Sequence, residues 1–239
     1  MGAHGYVTRT LIAINCVMMI ASALSSNNPA GALIGGRGLG FAGSTPLSEH
    51  LAVFGEGINH FGQVVPAGVA DGQYYRLITA MFIHYGLLHL AFNMWTLWVI
   101  GQPLEAMLGP VRFTALYMIC GIGGNVACYV FSPLSASAGA SGALFGLFGA
   151  LFIFLRRLQL NTNQIVPVIV LNLVLTFTVS GISIAGHIGG LLTGLIVGFG
   201  YAHAKQQWRT QAQVAISVAV LIVLALATFL QTNSLTAAT

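Results

Sequence analysis

The stretch Ala185-Gly-His-Ile-Gly-Gly-Leu-Leu-Thr-Gly-Leu-Ile-Val-Gly198 decides the class of this protein. It is apolar apart from one histidine and one threonine, and it carries a glycine at positions 186, 190, 194 and 198. Residues four apart share one face of a helix. In a membrane, such a face of small residues allows two helices to pack backbone to backbone. The stretch therefore predicts a transmembrane helix whose glycine face packs closely on a second helix.

The composition of the whole chain supports a membrane protein. Of the 239 residues, 56% are hydrophobic and only 5% are charged, whereas about 25% of a soluble domain is charged. So few charged residues cannot cover the surface of a soluble protein, which excludes a soluble enzyme. The large apolar fraction excludes a disordered chain. No basic stripe with interleaved aromatic residues is present, so we expect no nucleic-acid partner. The three cysteines are too few for a disulfide framework and are expected to be buried thiols.

Seven segments are candidates for membrane spans, since a spanning helix needs about 20 mostly apolar residues. In chain order they are Val7–Leu24, Leu87–Ala106, Phe113–Phe131, Ala140–Leu155, Ile165–Val179, Ile182–Ala202 and Val214–Leu230. The fourth and fifth segments are short, and we expect them inside the bundle rather than against lipid. The predicted fold class is all-α, a polytopic transmembrane helical bundle.

The basic residues predict the orientation, because they favour cytoplasmic loops. With the N-terminus inside, six basic residues lie on the inner side and two lie on the outer side. Those inside are Arg9, Arg112, Arg156, Arg157, Lys205 and Arg209, and those outside are Arg37 and Arg76. This pattern predicts a cytoplasmic N-terminus, an outer C-terminus and a first span that is retained rather than cleaved. Residues 25–86 then form a long outer loop, partly in the bilayer interface. The short tail before the first span lacks a transit peptide, which favours a bacterial inner membrane.

Four of the polar residues in the even-numbered spans are candidates for a site, because ionisable and polar groups are costly there and usually functional. His89 and Asn93 belong to the second span, Ser141 begins the fourth, and His187 belongs to the sixth. All even-numbered spans run from outside to inside in this topology. The four polar side chains are therefore expected at a similar shallow depth on the outer side, which predicts a single site.

A serine nucleophile with a histidine base is the chemistry that these residue types favour. If the glycines of the fourth and sixth spans face each other, Ser141 and His187 come within hydrogen-bond reach. His89 and Asn93, one helical turn apart, and the Ser141 N–H are candidate donors to an oxyanion. Residues Ser132–Gly139 are predicted to be non-helical chain leading into the serine.

Each residue alone also fits a structural role. A serine among glycines is common in helix packing, His187 could be structural or lie on an ion path, and His89 with Asn93 could bond two helices. His84 and His89 could suggest a metal, but no carboxylate or thiolate is expected at their depth. We therefore predict neither a metal site nor a cofactor.

At these residues the sequence resembles the rhomboid intramembrane serine proteases, over roughly residues 54–202. The motifs that carry the resemblance are Gly139-Ala140-Ser141-Gly142, His187 followed by Gly190 and Gly194, His89-x-x-x-Asn93, Gly101-x-x-x-Glu105, and Tyr75-Arg76 where the family has Trp-Arg. The resemblance implies a single membrane domain over residues 1–239. In this domain, residues 7–202 form a six-helix core, and residues 203–239 form a linker and an extra seventh transmembrane helix.

The resemblance also implies an intramembrane serine endopeptidase with a Ser–His dyad and no third acid. Ser141 is then the nucleophile, and His187 is the general base and later the acid. His89, Asn93 and the Ser141 N–H form the oxyanion hole. Packing of the site is assigned to Phe145 against His187 and to the glycines Gly139, Gly142, Gly190 and Gly194.

The implied substrates are single-span membrane proteins, cut in or near their transmembrane segment within the lipid bilayer. The fifth span would border their entry path. Two alternatives remain, an inactive relative that binds or escorts membrane proteins and a transporter or channel. The sequence indicates no oligomeric state.

Overall fold

Helices dominate the structure, a computed structural model that describes residues 5–34, 44–163 and 165–237. Arg37 and the centre of the glycine-rich outer segment lie outside the described residues. The helices are α1 Tyr6–Leu24, α2 Pro29–Ile34, α3 Pro46–Leu51, α4 Arg76–Thr79, α5 Leu87–Leu108, α6 Pro110–Phe131, α7 Ser141–Arg157, α8 Ile165–Thr178, α9 Ile184–His203 and α10 Arg209–Ala237. Short 3₁₀ helices span Ala80–Phe82 and Gln206–Trp208, and strands β1 Glu56–Ile58 and β2 Val64–Pro66 pair antiparallel.

Within those ranges, seven helices of 14 or more residues coincide with the seven predicted spans, which confirms the all-α class. The helix ends differ from the prediction where local chemistry decides them. The α6 helix begins at Pro110, since Gly109 has a φ of 78° and proline suits the first turn of a helix. By length and composition, four described helices could cross a membrane, α1, α6, α9 and α10 with the turn before it. A fifth is α5 counted together with the segment Arg76–Phe82, which meets it at 93°.

The centre of the bundle is formed by α6, α7 and α9. The prediction that the fourth span is buried is confirmed, since α7 is buried from Ala143 to Leu151. The same prediction for the fifth span is wrong. Of the side chains described in α8, only those of Ile165 and Thr176 are buried. The reason is that α8 has no glycine face with which to approach a neighbour, and its valine, isoleucine and leucine side chains suit lipid.

The glycine faces of α7 and α9 pack against each other, as the sequence predicts. The facing pairs are Gly190 with Gly142, Gly194 with Gly146, and Gly198 with Ala150. A Cβ atom on either Gly190 or Gly194 would collide with the backbone of α7. Since residue numbers rise together along the pairs, the two helices run parallel, and their N-terminal ends lie at the same end of the bundle.

The second half of the outer loop is built around Arg76, whose side chain is buried. Its Nη1 donates to the carbonyl oxygens of Glu49 and Ala52, each at 2.8 Å. The guanidinium also lies 4.5 Å above the centre of the Phe54 ring. The cation therefore has a structural role, which accounts for one of the two basic residues that the charge pattern leaves on the outer side.

The same loop supports the non-helical chain at 132–140. Val53 and Ser137 exchange two backbone hydrogen bonds of 2.9 Å each. On the other side, the Gly139 N–H donates to the Ala80 carbonyl oxygen at 2.9 Å. The Pro133 carbonyl oxygen also accepts from the Gly55 and Glu56 N–H groups, at 2.8 and 3.0 Å. The chain that leads into Ser141 is therefore bonded to the outer loop at three points, in addition to being continuous with α7.

Glu105 connects α5 to the start of α1. The Val7 N–H donates to Oε1 at 3.0 Å, and the N–H and hydroxyl of Thr8 both donate to Oε2 at 2.8 Å. The carboxylate is 2% exposed and lies at the positive end of the α1 dipole. Gly101, one turn earlier, leaves room for Thr8, since a Cβ there would be 3.0 Å from the Thr8 hydroxyl oxygen.

We expect Glu105→Ala to lower the free energy of unfolding by about 2–4 kcal/mol, because three buried donors lose a charged acceptor. The melting temperature of the protein in detergent measures this effect. Glu49→Ala, at an exposed carboxylate in α3, is the matched control and should cost less than about 1 kcal/mol. Equal melting temperatures for the two variants would contradict the assignment.

Candidate active site

Ser141 and His187 meet at the common N-terminal end of α7 and α9. Ser141 is the first residue of α7, and His187 lies in the first turn of α9. The Ser183 side chain caps α9 by accepting a hydrogen bond from the Gly186 N–H at 3.1 Å. The distance from His187 Nε2 to Ser141 Oγ is 2.8 Å. A serine hydroxyl and an imidazole nitrogen are thus in direct hydrogen-bond contact.

Two further side chains determine the orientation of the His187 ring, which is 7% exposed. The Phe145 ring, one turn after Ser141, stacks on it with centroids 4.1 Å apart and planes 19° apart. The Thr176 hydroxyl of α8 lies 2.7 Å from Nδ1. The imidazole is therefore contacted at both nitrogens and on one face.

Gly139 lies between Ser141 and the ring of His89. A Cβ on Gly139 would be 2.9 Å from His89 Nε2 and 3.7 Å from Ser141 Oγ. A methyl group at 2.9 Å would clash with the ring, so the lack of a side chain at Gly139 lets the His89 ring lie this close to the backbone. The Tyr85 N–H donates to His89 Nδ1 at 3.4 Å, so the ring proton is assigned to Nε2. Gly139 therefore places the His89 ring and the Ser141 hydroxyl on either side of one backbone position.

Asn93 lies one turn after His89 and is buried. Its Nδ2 donates to the His89 carbonyl oxygen at 2.8 Å, so its described hydrogen bond lies within α5 rather than with Ser141 or His187. An amide nitrogen carries two protons, and this bond uses one of them. The Ser141 N–H, at the start of α7, has no acceptor within its own helix. The structure thus places both groups on the elements that border the site.

The acidic residues lie away from His187. Glu49, Glu56 and Asp71 belong to the outer loop, and Glu105 bonds to α1. Across the described ranges, no group of three or more His, Cys, Asp or Glu side chains could hold a metal ion. The ring of His84 lies 4.9 Å from that of His89, centre to centre. The three cysteines are free, with Cys16 half-buried and the other two buried.

Sequence reasoning missed Thr176 as a neighbour of His187. A signal was present, since a hydroxyl in an apolar span is a functional hypothesis in the same way as a histidine. The backbone bonds between the outer loop and residues 132–140 were also missed. These bonds use groups that every residue carries, so no side-chain pattern indicates them.

The chain is similar in sequence to known proteins. A family profile described as the Rhomboid domain matches residues 71–204, more than half of the chain. Rhomboid protease GluP of Bacillus subtilis (strain 168) is 41% identical over 160 residues, 64% of this chain and 29% of the relative. YdcA of the same organism is 39% identical over 138 residues, 55% of this chain and 69% of the relative.

A plant relative extends the comparison. RHOMBOID-like protein 6, mitochondrial, of Arabidopsis thaliana is 38% identical over 142 residues, 55% of this chain and 45% of the relative. The chain therefore spans less than half the length of this protein and of GluP. The matched region contains α5 to α9 and thus every residue of the candidate site.

Proposed function

The chain belongs to the rhomboid family, and we propose on that basis that it is an intramembrane serine endopeptidase with Ser141 as nucleophile and His187 as base. It is an integral, multi-pass membrane protein. The observation that carries the proposal is the 2.8 Å contact between His187 Nε2 and Ser141 Oγ at the shared end of two parallel helices. Structural helix packing needs the glycines but does not need this pair.

In the first half of the proposed reaction, the Ser141 oxygen attacks the carbonyl carbon of a substrate peptide bond. His187 Nε2 takes the hydroxyl proton as the new C–O bond forms. The carbonyl oxygen becomes an oxyanion, which needs donors already in place. His89 Nε2–H and the Ser141 N–H are the supported donors, and the remaining Asn93 amide proton is the third.

Collapse of this intermediate breaks the bond between the carbonyl carbon and the amide nitrogen. His187 gives its proton to the leaving amine, and an ester between Ser141 and the substrate remains. Water then attacks the ester, with His187 again taking a proton, and hydrolysis returns the free serine. A Ser–His pair is sufficient for these transfers, since each proton taken is later returned.

The proposed substrates are single-span membrane proteins, whose peptide bond reaches Ser141 at the end of the bundle. The proposed topology has a cytoplasmic N-terminus and an outer C-terminus in a bacterial inner membrane, with residues 1–239 as one membrane domain. Under this topology Ser141 lies at a shallow depth on the outer side. Cleavage is then expected near the outer end of a substrate helix.

The test is reaction of the purified protein with a fluorophosphonate probe, beside Ser141→Ala and His187→Ala. We expect the wild-type protein to be labelled and both variants to remain unlabelled, because the probe reacts with an activated serine. Cleavage of a single-span test substrate in proteoliposomes should follow the same pattern.

Two results would count against the proposal. Labelling that persists in Ser141→Ala would place the reactive group elsewhere. A folded wild-type protein that neither reacts with the probe nor cleaves the substrate would favour an inactive relative that binds or escorts membrane proteins. An ion flux in vesicles that needs His187 would instead favour a transporter or channel.

A further inference from the structure

The hydroxyl of Thr176 lies between the base and the backbone of another helix. Its Oγ1 is 2.7 Å from His187 Nδ1 and 2.7 Å from the carbonyl oxygen of Asn172. Thr176 is 2% exposed, although most of α8 faces away from the bundle. The buried hydroxyl of this helix is thus in contact with the histidine that is hydrogen-bonded to Ser141.

Counting protons along this chain of contacts selects one tautomer of His187. Three short contacts follow one another, Ser141 Oγ with Nε2, Nδ1 with Thr176 Oγ1, and Thr176 Oγ1 with the Asn172 carbonyl oxygen. If Nδ1 carries the ring proton, each contact contains one proton, because the threonine hydroxyl donates to the carbonyl and accepts from Nδ1. Ser141 then donates to an unprotonated Nε2.

The other tautomer leaves one contact without a proton. With the ring proton on Nε2, the threonine hydroxyl has to donate to Nδ1. Its oxygen and the Asn172 carbonyl oxygen then face each other at 2.7 Å with no hydrogen between them, which is repulsive. In that state Nε2 is also unable to accept the serine proton. The contacts therefore favour the tautomer that acts as a base toward Ser141.

We propose that Thr176 is a positioning residue that holds His187 as the Nδ1–H tautomer, with Nε2 directed at Ser141, by accepting a hydrogen bond from Nδ1. This inference rests on the proposed function and deepens it. The neutral threonine takes the orienting place that a carboxylate has in other serine hydrolases, and the described acidic side chains lie elsewhere. Because Thr176 belongs to α8 and His187 to α9, the base is correctly oriented only while the two helices stay together.

The decisive variant is Thr176→Val, which keeps the branched shape and removes the hydroxyl. The variant loses one hydrogen bond to the His187 ring, which becomes charged during the proposed reaction. We therefore expect labelling and turnover to be about 10- to 100-fold slower. The loss should appear in kcat, with KM for the substrate changed little, since Thr176 acts on the base. Thr176→Ser, which keeps Oγ, should restore most of the rate.

Thr178→Val is the matched control. The Thr178 hydroxyl also donates to the carbonyl oxygen four residues earlier, at 2.8 Å, but it is exposed and on the same helix. We expect this variant to react at the wild-type rate. It reports any general effect of replacing a threonine by valine in α8.

A second readout is independent of activity. ¹⁵N NMR of the histidine-labelled protein, with the His187 signals assigned by their loss in His187→Ala, distinguishes protonated from unprotonated ring nitrogens. We expect Nδ1–H in the wild-type protein and in Thr176→Ser, and a mixed or Nε2–H ring in Thr176→Val. If the wild-type protein does not react with the probe, the proposed function fails, while the spectrum still tests the tautomer.

Two outcomes overturn the inference. One is a Thr176→Val variant with wild-type labelling and an unchanged Nδ1–H spectrum. The other is an equal loss of rate in Thr176→Val and Thr178→Val with the tautomer unchanged, since that result would reflect the integrity of α8 rather than the hydrogen bond.

Discussion

Gly139→Ala is expected to abolish labelling and cleavage, with a loss of at least about 10³-fold. The added Cβ would lie 2.9 Å from the His89 ring and 3.7 Å from Ser141 Oγ, between the proposed oxyanion donor and the proposed nucleophile. Loss of a single oxyanion donor costs about 10²- to 10³-fold, and a methyl group there separates the oxygen from its donor altogether. Gly139 also has a φ of 132°, which an L-residue adopts only with strain.

The control for this strain is Gly109→Ala. Gly109 also has a positive φ, 78°, and a Cβ there meets no atom within 4 Å of those described. It lies at the far end of α5 from His89. We expect it to lower the melting temperature modestly and to leave the rate of labelling unchanged. If Gly139→Ala is labelled at the wild-type rate, the oxyanion does not use the space beside His89.

The helices could be predicted from the sequence because a bilayer leaves few alternatives. In lipid every backbone N–H and C=O must be satisfied within the protein, so an apolar run of sufficient length becomes a helix. Glycine and proline decide the boundaries, as Gly109 and Pro110 do between α5 and α6. The place of α8 could not be predicted, because a short apolar helix fits both a protein core and lipid.

The proximity of Ser141 and His187 could be predicted because the glycines give a register. Small residues recur every fourth position in both α7 and α9, so the two faces match in few alignments, and the observed one brings the polar residues beside Gly142 and Gly186 together. No such register exists for α8. Its few polar residues mark Thr176 as a candidate, but without a glycine face the neighbour that Thr176 contacts depends on tertiary packing.

The outer loop shows a different limit of sequence reasoning. Arg76 could be counted as an outer basic residue, but its buried bonds to the carbonyl oxygens of Glu49 and Ala52 have no signature in composition. The bridge from Val53 to Ser137 is likewise a backbone contact between distant segments. Such contacts hold the chain that leads into Ser141.

Gly194→Val is expected to lower the free energy of unfolding by about 3 kcal/mol, the upper end of the usual cost of overpacking. A Cβ at position 194 would collide with the backbone carbonyl, carbonyl carbon and Cα of Gly146 in α7. No rotamer change can relieve a collision with backbone, so α7 and α9 have to move apart. Since Ser141 and His187 lie on these two helices, their 2.8 Å contact should lengthen. The rate of labelling should therefore decrease together with the free energy of unfolding.

Two companion variants make this prediction specific. Because the collision begins at Cβ, Gly194→Ala should already cause most of the destabilisation, although alanine is the better helix former. Leu192→Val places a β-branched residue in the same helix at a half-exposed position, and should cost less than about 1 kcal/mol. Melting temperatures in one detergent compare the three variants. A Gly194→Ala variant as stable as the wild-type protein would mean that the two glycine faces are not in backbone contact, and the register that joins Ser141 to His187 would lose its physical basis.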